Sequence, residues 1–320
     1  MSNISEAVAL PTAEKATEDD YFAYVEGVGN IPRDIYKHVE SDPKGDLPRY
    51  SVHIVIQHLL VLFTFIALAA TGVPLLFSES LWAHYMISIL GGADIARIVH
   101  RVAAFTMMFG CVYHIVTIIF GTLRQIFYKK FDYKRTMVPR IKDLLDVIHD
   151  VRYFLGLAPC RPKMEKFMYK QKLHYFAIIW GNCVLITAGL ALLYPDTMAR
   201  IFPETLAQLL PQVVEKGVSF PAFFQEFARL MHADEAVMAL IVVAFWHWSN
   251  VHFVPGRFPL QWTFLTGKIT REHQIEEHFL EYINNLKEIP EEREYMKKLL
   301  KEKGLETLPK VSVSELPRIY

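Results

Sequence analysis

The sequence predicts an all-α membrane protein, a four-helix transmembrane bundle with both termini in the cytoplasm. Three observations predict it. Hydrophobic residues make up 52 % of the 320-residue chain, and the mean hydropathy of +0.20 is high for a soluble protein. Four stretches, 51–77, 102–123, 173–195 and 236–256, contain no Asp, Glu, Lys or Arg, and each reaches the roughly 20 residues that a helix needs to cross a bilayer. Backbone groups in hydrocarbon must bond to one another, so each stretch is read as a helix. Finally, segment 124–172 carries thirteen Lys and Arg, whereas 78–96 carries none and 196–228 only Arg200 and Lys216. Lys and Arg concentrate on the cytoplasmic side, which sets 124–172 and both termini there.

Along the chain, residues 1–50 read as a polar cytoplasmic segment, 51–258 as the membrane domain and 259–320 as a cytoplasmic tail. Residues 1–20 hold Glu6, Glu14, Glu18, Asp19 and Asp20 and no apolar core before a cleavage site, so no signal peptide is expected. "IKDLLDVIHDVRYFLGL" (141–157) has helical periodicity and is expected along the inner membrane surface. The outer loop 196–231, with Pro203, Pro211 and Pro221, is expected to hold short interfacial helices. "EEREYMKKLLKEKG" (291–304) mixes charges at helical spacing, as a solvated helix does. Net charge is zero and no basic motif occurs, so nothing points to nucleic acid. Cys111, Cys160 and Cys183 are scattered with no CxxC or CxxCH, which argues against a disulfide framework, an iron–sulfur site in this chain and c-type haem.

The histidines carry the functional signal. "RIVHRVAAFTMMFGCVYH" (97–114) and "RLMHADEAVMALIVVAFWH" (229–247) have the same plan: arginine, two residues, histidine, a long run, histidine. Arg124 and Arg257 each follow the second histidine by ten residues. His100 and His232 therefore share one depth, and His114 and His247 another. Spacings of 14 and 15 residues are about 21–22 Å of helix, with each pair near one face. Two tiers of histidine on facing helices suit two stacked haems b, each held by an imidazole on either side. Arg97, Arg101 and Arg229 stand where propionates need charged partners. A single intramembrane histidine can hydrogen-bond to a neighbouring helix, but four at matched depths call for a common function. A zinc site in this array is weaker, because HExxH is missing and residues so far apart cannot meet at one ion.

His58, nine residues beyond Arg49, lies at the depth of His114 and His247, so the inner partner of His247 is His58 or His114. A shallower tier, His53, His174 and His252, is suited to a quinone, to proton relay or to a third haem; its bland reading is interfacial hydrogen bonding to water or lipid.

Over residues 50–278 the chain resembles the cytochrome b (gamma) subunit of respiratory formate dehydrogenases and the related membrane nickel–iron hydrogenase cytochromes. The motifs that carry the resemblance are His58 with "TG" at 71–72, "RIVH" at 97–100, Gln171–Lys172 before the third span, and His232 and His247 followed by "TGKIT" at 266–270. The resemblance implies an outer haem on His100 and His232, an inner haem on His58 and His247, and a quinone near the start of the third span. The chain departs from that pattern in the 15-residue spacing, in Met168 and Tyr169 where the family has an asparagine before "QK", and in the extra His114. "VHRVAAFTMMFGCVYH" is also similar to the second helix of the cytochrome b of bc-type complexes, although segment 124–172 is longer than that family has and span one lacks most of its glycines. Both resemblances agree on His100, His232 and His247.

The expected function is that of a di-haem b-type cytochrome subunit in a bacterial or archaeal cell membrane. It exchanges electrons with menaquinone or ubiquinone at the inner side and with an iron–sulfur or multihaem c-type cytochrome subunit outside, in a direction left open. The alternatives are a quinol-oxidising bc-type cytochrome b, a haem-free anchor or proton relay, and a haem protein that reduces ferric iron or ascorbate-derived radicals without quinone.

Overall fold

A computed structural model describes residues 21–39, 46–201, 220–253 and 258–305. The chain is mostly helical. Its helices are α1 (Val52–Leu76), α2 (Leu81–Ile89), α3 (Ala93–Phe127), α4 (Ile141–Phe154), α5 (Tyr169–Leu193), α6 (Pro195–Ile201), α7 (Phe220–Ile241), α8 (Trp248–Val251), α9 (Thr263–Thr266), α10 (Arg271–Glu277), α11 (Phe279–Glu288) and α12 (Pro290–Glu302). The described residues also form four short strands, β1 (Phe22–Val25), β2 (Gly29–Pro32), β3 (Leu47–Pro48) and β4 (Lys268–Ile269). The chain forms two compact units. An apolar unit comprises Arg49–Phe131 and His174–Gly267, and a polar unit comprises Met1–Pro48, Asp132–Leu173 and Lys268–Tyr320.

In the apolar unit, α1 and α3, with α5 running into it, are long and apolar enough to cross a membrane. Only 17 % of each apolar window is buried, so most of this surface needs an apolar solvent. On α3 the buried positions are Ala96, Ala103, Met107 and Gly110, a mostly small-residue stripe that lets helices approach closely. A Cβ on Gly110 would lie 2.9 Å from Leu60 of α1. Gln57 donates to Thr117 at 2.7 Å across the same pair.

The predicted fourth span is built differently. The first part of this segment, α7, carries Glu226, Arg229, Asp234 and Glu235. Its apolar part leaves α-helical winding at Ile241, runs as a π-helix over Val242–His247 and ends in α8. Among the described residues three helices, not four, are therefore long and apolar enough to span. Residues 254–257, with Arg257, lie outside the described residues, as do 202–219 of the outer loop with Pro203 and Pro211. Of that loop the structure describes α6 and the start of α7, where Pro221 sits in the first turn, a position that lacks an intrahelical acceptor anyway.

The polar unit gathers segments that the sequence reading kept apart. β1 and β2 form an antiparallel hairpin with Phe22 opposite Pro32, and β3 pairs antiparallel with β4, Leu47 opposite Ile269. Val25, Ile31 and Ile35 share one core with Ile275, Phe279, Tyr282, Leu286, Met296 and Leu300. The tail helix α12, expected as a solvated helix, thus buries Met296, Leu299 and Leu300, spaced to form one helix face.

Helix α4 has inverted polarity. Asp143, Asp146 and Asp150 are buried, while Ile141, Leu144, Leu145, Val151 and Phe154 are exposed. Lys172, itself buried, holds Asp143 at 2.8 and 2.9 Å. Arg161 holds Asp150 through two bonds of 2.8 Å, and Tyr169 donates to it at 2.6 Å. Burial pushes the Asp146 carboxyl up, and Lys142 only partly counters it. Burial acts on Asp150 too, but the hydrogen bonds and charge of Arg161 outweigh it and hold that carboxyl below the usual range. An apolar face turned outward is what a membrane-surface helix requires.

Candidate functional site

Helices α3 and α7 bring His100 and His232 together, with ring centres 6.3 Å apart and planes at 70°. His100 Nδ1 lies 2.9 Å from Thr71 Oγ1 on α1. The Thr71 hydroxyl donates its one hydrogen to the Ala67 carbonyl at 2.7 Å, so it accepts from His100, whose Nδ1 carries the proton. His232 Nδ1 lies 3.1 Å from the Leu185 carbonyl on α5, which can only accept. Both rings therefore keep Nε2 as a lone-pair donor. Neighbouring helices also make room for them: a Cβ on Gly72 would lie 2.9 Å from His100 Cε1, and one on Gly189 would lie 3.2 Å from His232 Cε1.

The lower tier is a cluster. The His247 ring centre is 6.4 Å from His58, 5.0 Å from His174 and 6.4 Å from His252. The His174 and His247 rings stack at 16°. Phe264 of α9 closes the cluster at 5.5 Å from His58 and 5.9 Å from His252. The Gln261 backbone N–H donates to His252 Nδ1 at 3.1 Å. His58 Nδ1 and His174 Nε2 are buried without a hydrogen-bond partner, an uncommon state for a buried polar atom. His174 and His252 thus belong with His247 rather than to a separate shallower tier. His53 goes elsewhere, its Nδ1 2.7 Å from the Tyr113 hydroxyl.

His114 is engaged on both sides. Its Nδ1 lies 2.8 Å from Gln57 Oε1 and its Nε2 2.8 Å from the Tyr175 hydroxyl. Gln57 gives its amide hydrogen to Thr117, which fixes its oxygen toward His114. His114 then donates through Nδ1 and accepts from Tyr175 through Nε2, with no lone pair left for a metal. Of the two candidates that the sequence leaves for the partner of His247, His58 is the one whose ring lies beside it, at 6.4 Å.

The π segment accounts for the unequal spacing. In an unbroken α-helix, 14 residues fall about 40° short of four turns and 15 fall about 60° past them. A π insertion absorbs one extra residue, so the 15 residues from His232 to His247 are returned to the phase of 14.

The remaining predicted residues have local partners. Arg97 pairs with Asp94 at 3.1 Å and Arg229 with Glu226 at 2.6 Å, each on its own helix, and Arg101 is exposed. Gln171 Oε1 accepts the Met168 N–H at 3.1 Å at the start of α5. In "TGKIT", Gly267 has φ +70°, and a Cβ there would lie 2.7 Å from the Tyr50 carbonyl. Its own carbonyl accepts from the N–H groups of Arg49 and Tyr50 at 2.9 Å each. Thr270 accepts the His273 N–H and caps α10.

Sequence reasoning passed over Gln57, Tyr175, Gly189 and Glu235. The first two were visible as polar groups within or beside charge-free runs. Glu235 is 9 % exposed, and its Oε1 is 2.6 Å from where a Gly181 Cβ would be. Gly189 carried no readable signal.

Two imidazoles binding one metal from opposite sides, each nitrogen about 2 Å away, have ring centres roughly 6 Å apart. The His100–His232 and His58–His247 pairs both have this spacing. The upper pair also has its Nδ1 protons donated to Thr71 and the Leu185 carbonyl, which leaves both Nε2 lone pairs for a metal. No protein-family model matches the chain, and no curated protein matches it.

Proposed function

We propose that the chain is a membrane di-haem b-type cytochrome that carries electrons between a quinone on its Lys/Arg-rich inner side and a redox partner on the other side. The observation that supports it above all is the repeated histidine pair, at 6.3 and 6.4 Å, on segments whose sequence puts the pairs at two depths. In this reading α1, α3, α5 and the α7–π–α8 segment are the four spans, and both termini are cytoplasmic.

Haem, when bound, supplies the one-electron chemistry. His100 and His232 would hold the outer group, and His58 and His247 the inner one. Thr71 and the Leu185 carbonyl fix the outer rings and raise their basicity by accepting their Nδ1 protons. Arg101, exposed, and Arg97 and Arg229, paired with Asp94 and Glu226, would be the residues to hold the propionates of an outer haem. On the inner side His174 and His252 lie beside His247 and would exchange protons with a menaquinone or ubiquinone bound there. His53 with Tyr113, and the Gln57–His114–Tyr175 chain, extend the proton route. The resemblance to the formate dehydrogenase gamma subunit supports the same four ligands; an iron–sulfur subunit outside would send electrons inward to quinone, and a multihaem c-type cytochrome would instead take them from quinol.

The test is haem per chain and a dithionite-reduced minus oxidised spectrum of the detergent-solubilised protein. Two low-spin b-type haems are expected. A folded preparation without haem leaves the anchor or proton-relay reading and refutes this one.

A further inference from the structure

The polar unit holds a second group of metal-ligating side chains. In "HQIEEH" (273–278), His273 and Glu277 are four residues apart and share one face of α10. His278 follows at the end of that helix. His273 Nε2 and Glu277 Oε2 are 3.3 Å apart, and one ligand atom from each of the three residues lies within 4.8 Å of the other two. The two imidazole ring centres are 6.1 Å apart, with planes at 34°. Bonds of 2.0–2.1 Å to a tetrahedral metal place its donor atoms about 3.4 Å from one another, so the His273–Glu277 edge already has the required length.

His278 supplies the independent argument. Its ring is 1 % exposed, and its Nδ1 lies 2.9 Å from the Glu165 carbonyl. A carbonyl only accepts, so Nδ1 carries the proton and Nε2 keeps the lone pair. This is the arrangement found behind metal-bound histidines, where a carbonyl fixes both tautomer and ring orientation.

We propose that His273, Glu277 and His278 bind one divalent cation of the zinc class. Two imidazoles and a carboxylate suit a borderline ion such as Zn²⁺ over Mg²⁺ or Ca²⁺, which prefer all-oxygen sites. Three protein ligands leave a fourth position for water or a partner's donor. Arg161, whose charge interacts with Glu277, competes for the same carboxylate and weakens the site without removing a ligand. The bound ion ties the end of α10 to the segment that carries Glu165. The proposal is independent of the haem reading, since it involves other residues and no redox step.

The experiment uses the full-length protein in detergent, stripped with chelator, loaded with Zn²⁺, desalted and measured for zinc per chain by elemental mass spectrometry, with haem quantified alongside. One zinc per chain is expected, along with a higher thermal unfolding midpoint. His273→Ala and Glu277→Gln, both at partly exposed positions, are each expected to weaken zinc binding at least tenfold and to abolish the rise in midpoint. They carry the test in place of the buried His278. Zinc bound equally by wild type and both variants overturns the proposal, because it then sits elsewhere, the membrane histidines included. A wild-type protein that takes up no zinc at micromolar concentration overturns it as well.

Discussion

Replacing Gly72 with alanine tests the outer pair through a residue that is not itself a ligand. The new Cβ would lie 2.9 Å from His100 Cε1, against about 3.5–4.0 Å for an ordinary carbon contact. The ring must therefore retreat by roughly 0.6 Å or more to reach that range. Its bond to Thr71 is 2.9 Å long, and such a displacement stretches it to the limit of hydrogen bonding. A lost hydrogen bond of this kind is worth about 1 kcal/mol. Loss of the group that orients a metal-bound histidine costs about 10–100-fold in affinity. Gly72→Ala should therefore weaken outer-haem retention by about one to two orders of magnitude, leave the inner haem in place and shift the outer midpoint potential. Gly189→Ala, at 3.2 Å from His232, should do the same more mildly. Gly121→Ala, with nothing within 4 Å, should change nothing. Alanine favours a helix over glycine by up to about 1 kcal/mol, so haem loss should come without unfolding. Haem per chain and a redox titration of the three variants are the assay. A Gly72→Ala protein with two haems and unshifted potentials would refute the outer-pair assignment.

Other expectations bear on the remaining residues. His232→Ala should halve the haem content, and retention of both haems would show that the outer ligands are other residues. His58→Ala should remove the inner haem while His114→Phe keeps both, and the reverse in a pigment assay would exchange their roles. Asp150→Asn should cost about 1–3 kcal/mol at pH 7, because it removes the charge that accepts from the partly exposed Arg161 and from Tyr169. The folded Asp150 pKa lies below its unfolded value, so this stabilisation is present above about pH 4 and disappears as pH falls through the folded value. The gap in thermal midpoint between wild type and Asp150→Asn should then narrow on acidification below pH 4, and a constant gap would contradict the pairing.

Much of the apolar unit was legible because a charge-free run of 20 residues has few other uses. The pairing of His100 with His232 was legible too, since depth can be counted from the flanking arginines. Choosing between His58 and His114 was not: depth fixes height, while the choice depends on what each nitrogen faces. Gln57 and Tyr175, which engage both nitrogens of His114, come from other helices. His174 was assigned to a shallow tier because Lys170 and Lys172 precede it. Those lysines turn to Asp150 and Asp143, so they do not mark the height of the interface. The π-helical winding after Ile241 is absent from the hydrophobic pattern and left only the extra residue between His232 and His247 as a trace. The polar unit was the least legible part. Its core joins Ile31 and Ile35 to Phe279 and Tyr282, contacts that no local periodicity reports.

The separation of the two histidine tiers has an electrical consequence. Fifteen residues of helix span roughly 20 Å, about two-thirds of a hydrocarbon layer some 30 Å thick. Moving one charge across the full layer against 100 mV takes about 2.3 kcal/mol, so an electron passing between tiers meets roughly 1.5 kcal/mol of it. With one haem held at each tier, as proposed, that would be about a tenfold change in their reduction ratio for each 100 mV. With the cytoplasm negative, inward electron flow works against the field and charges the membrane, whereas outward flow runs down it and discharges it.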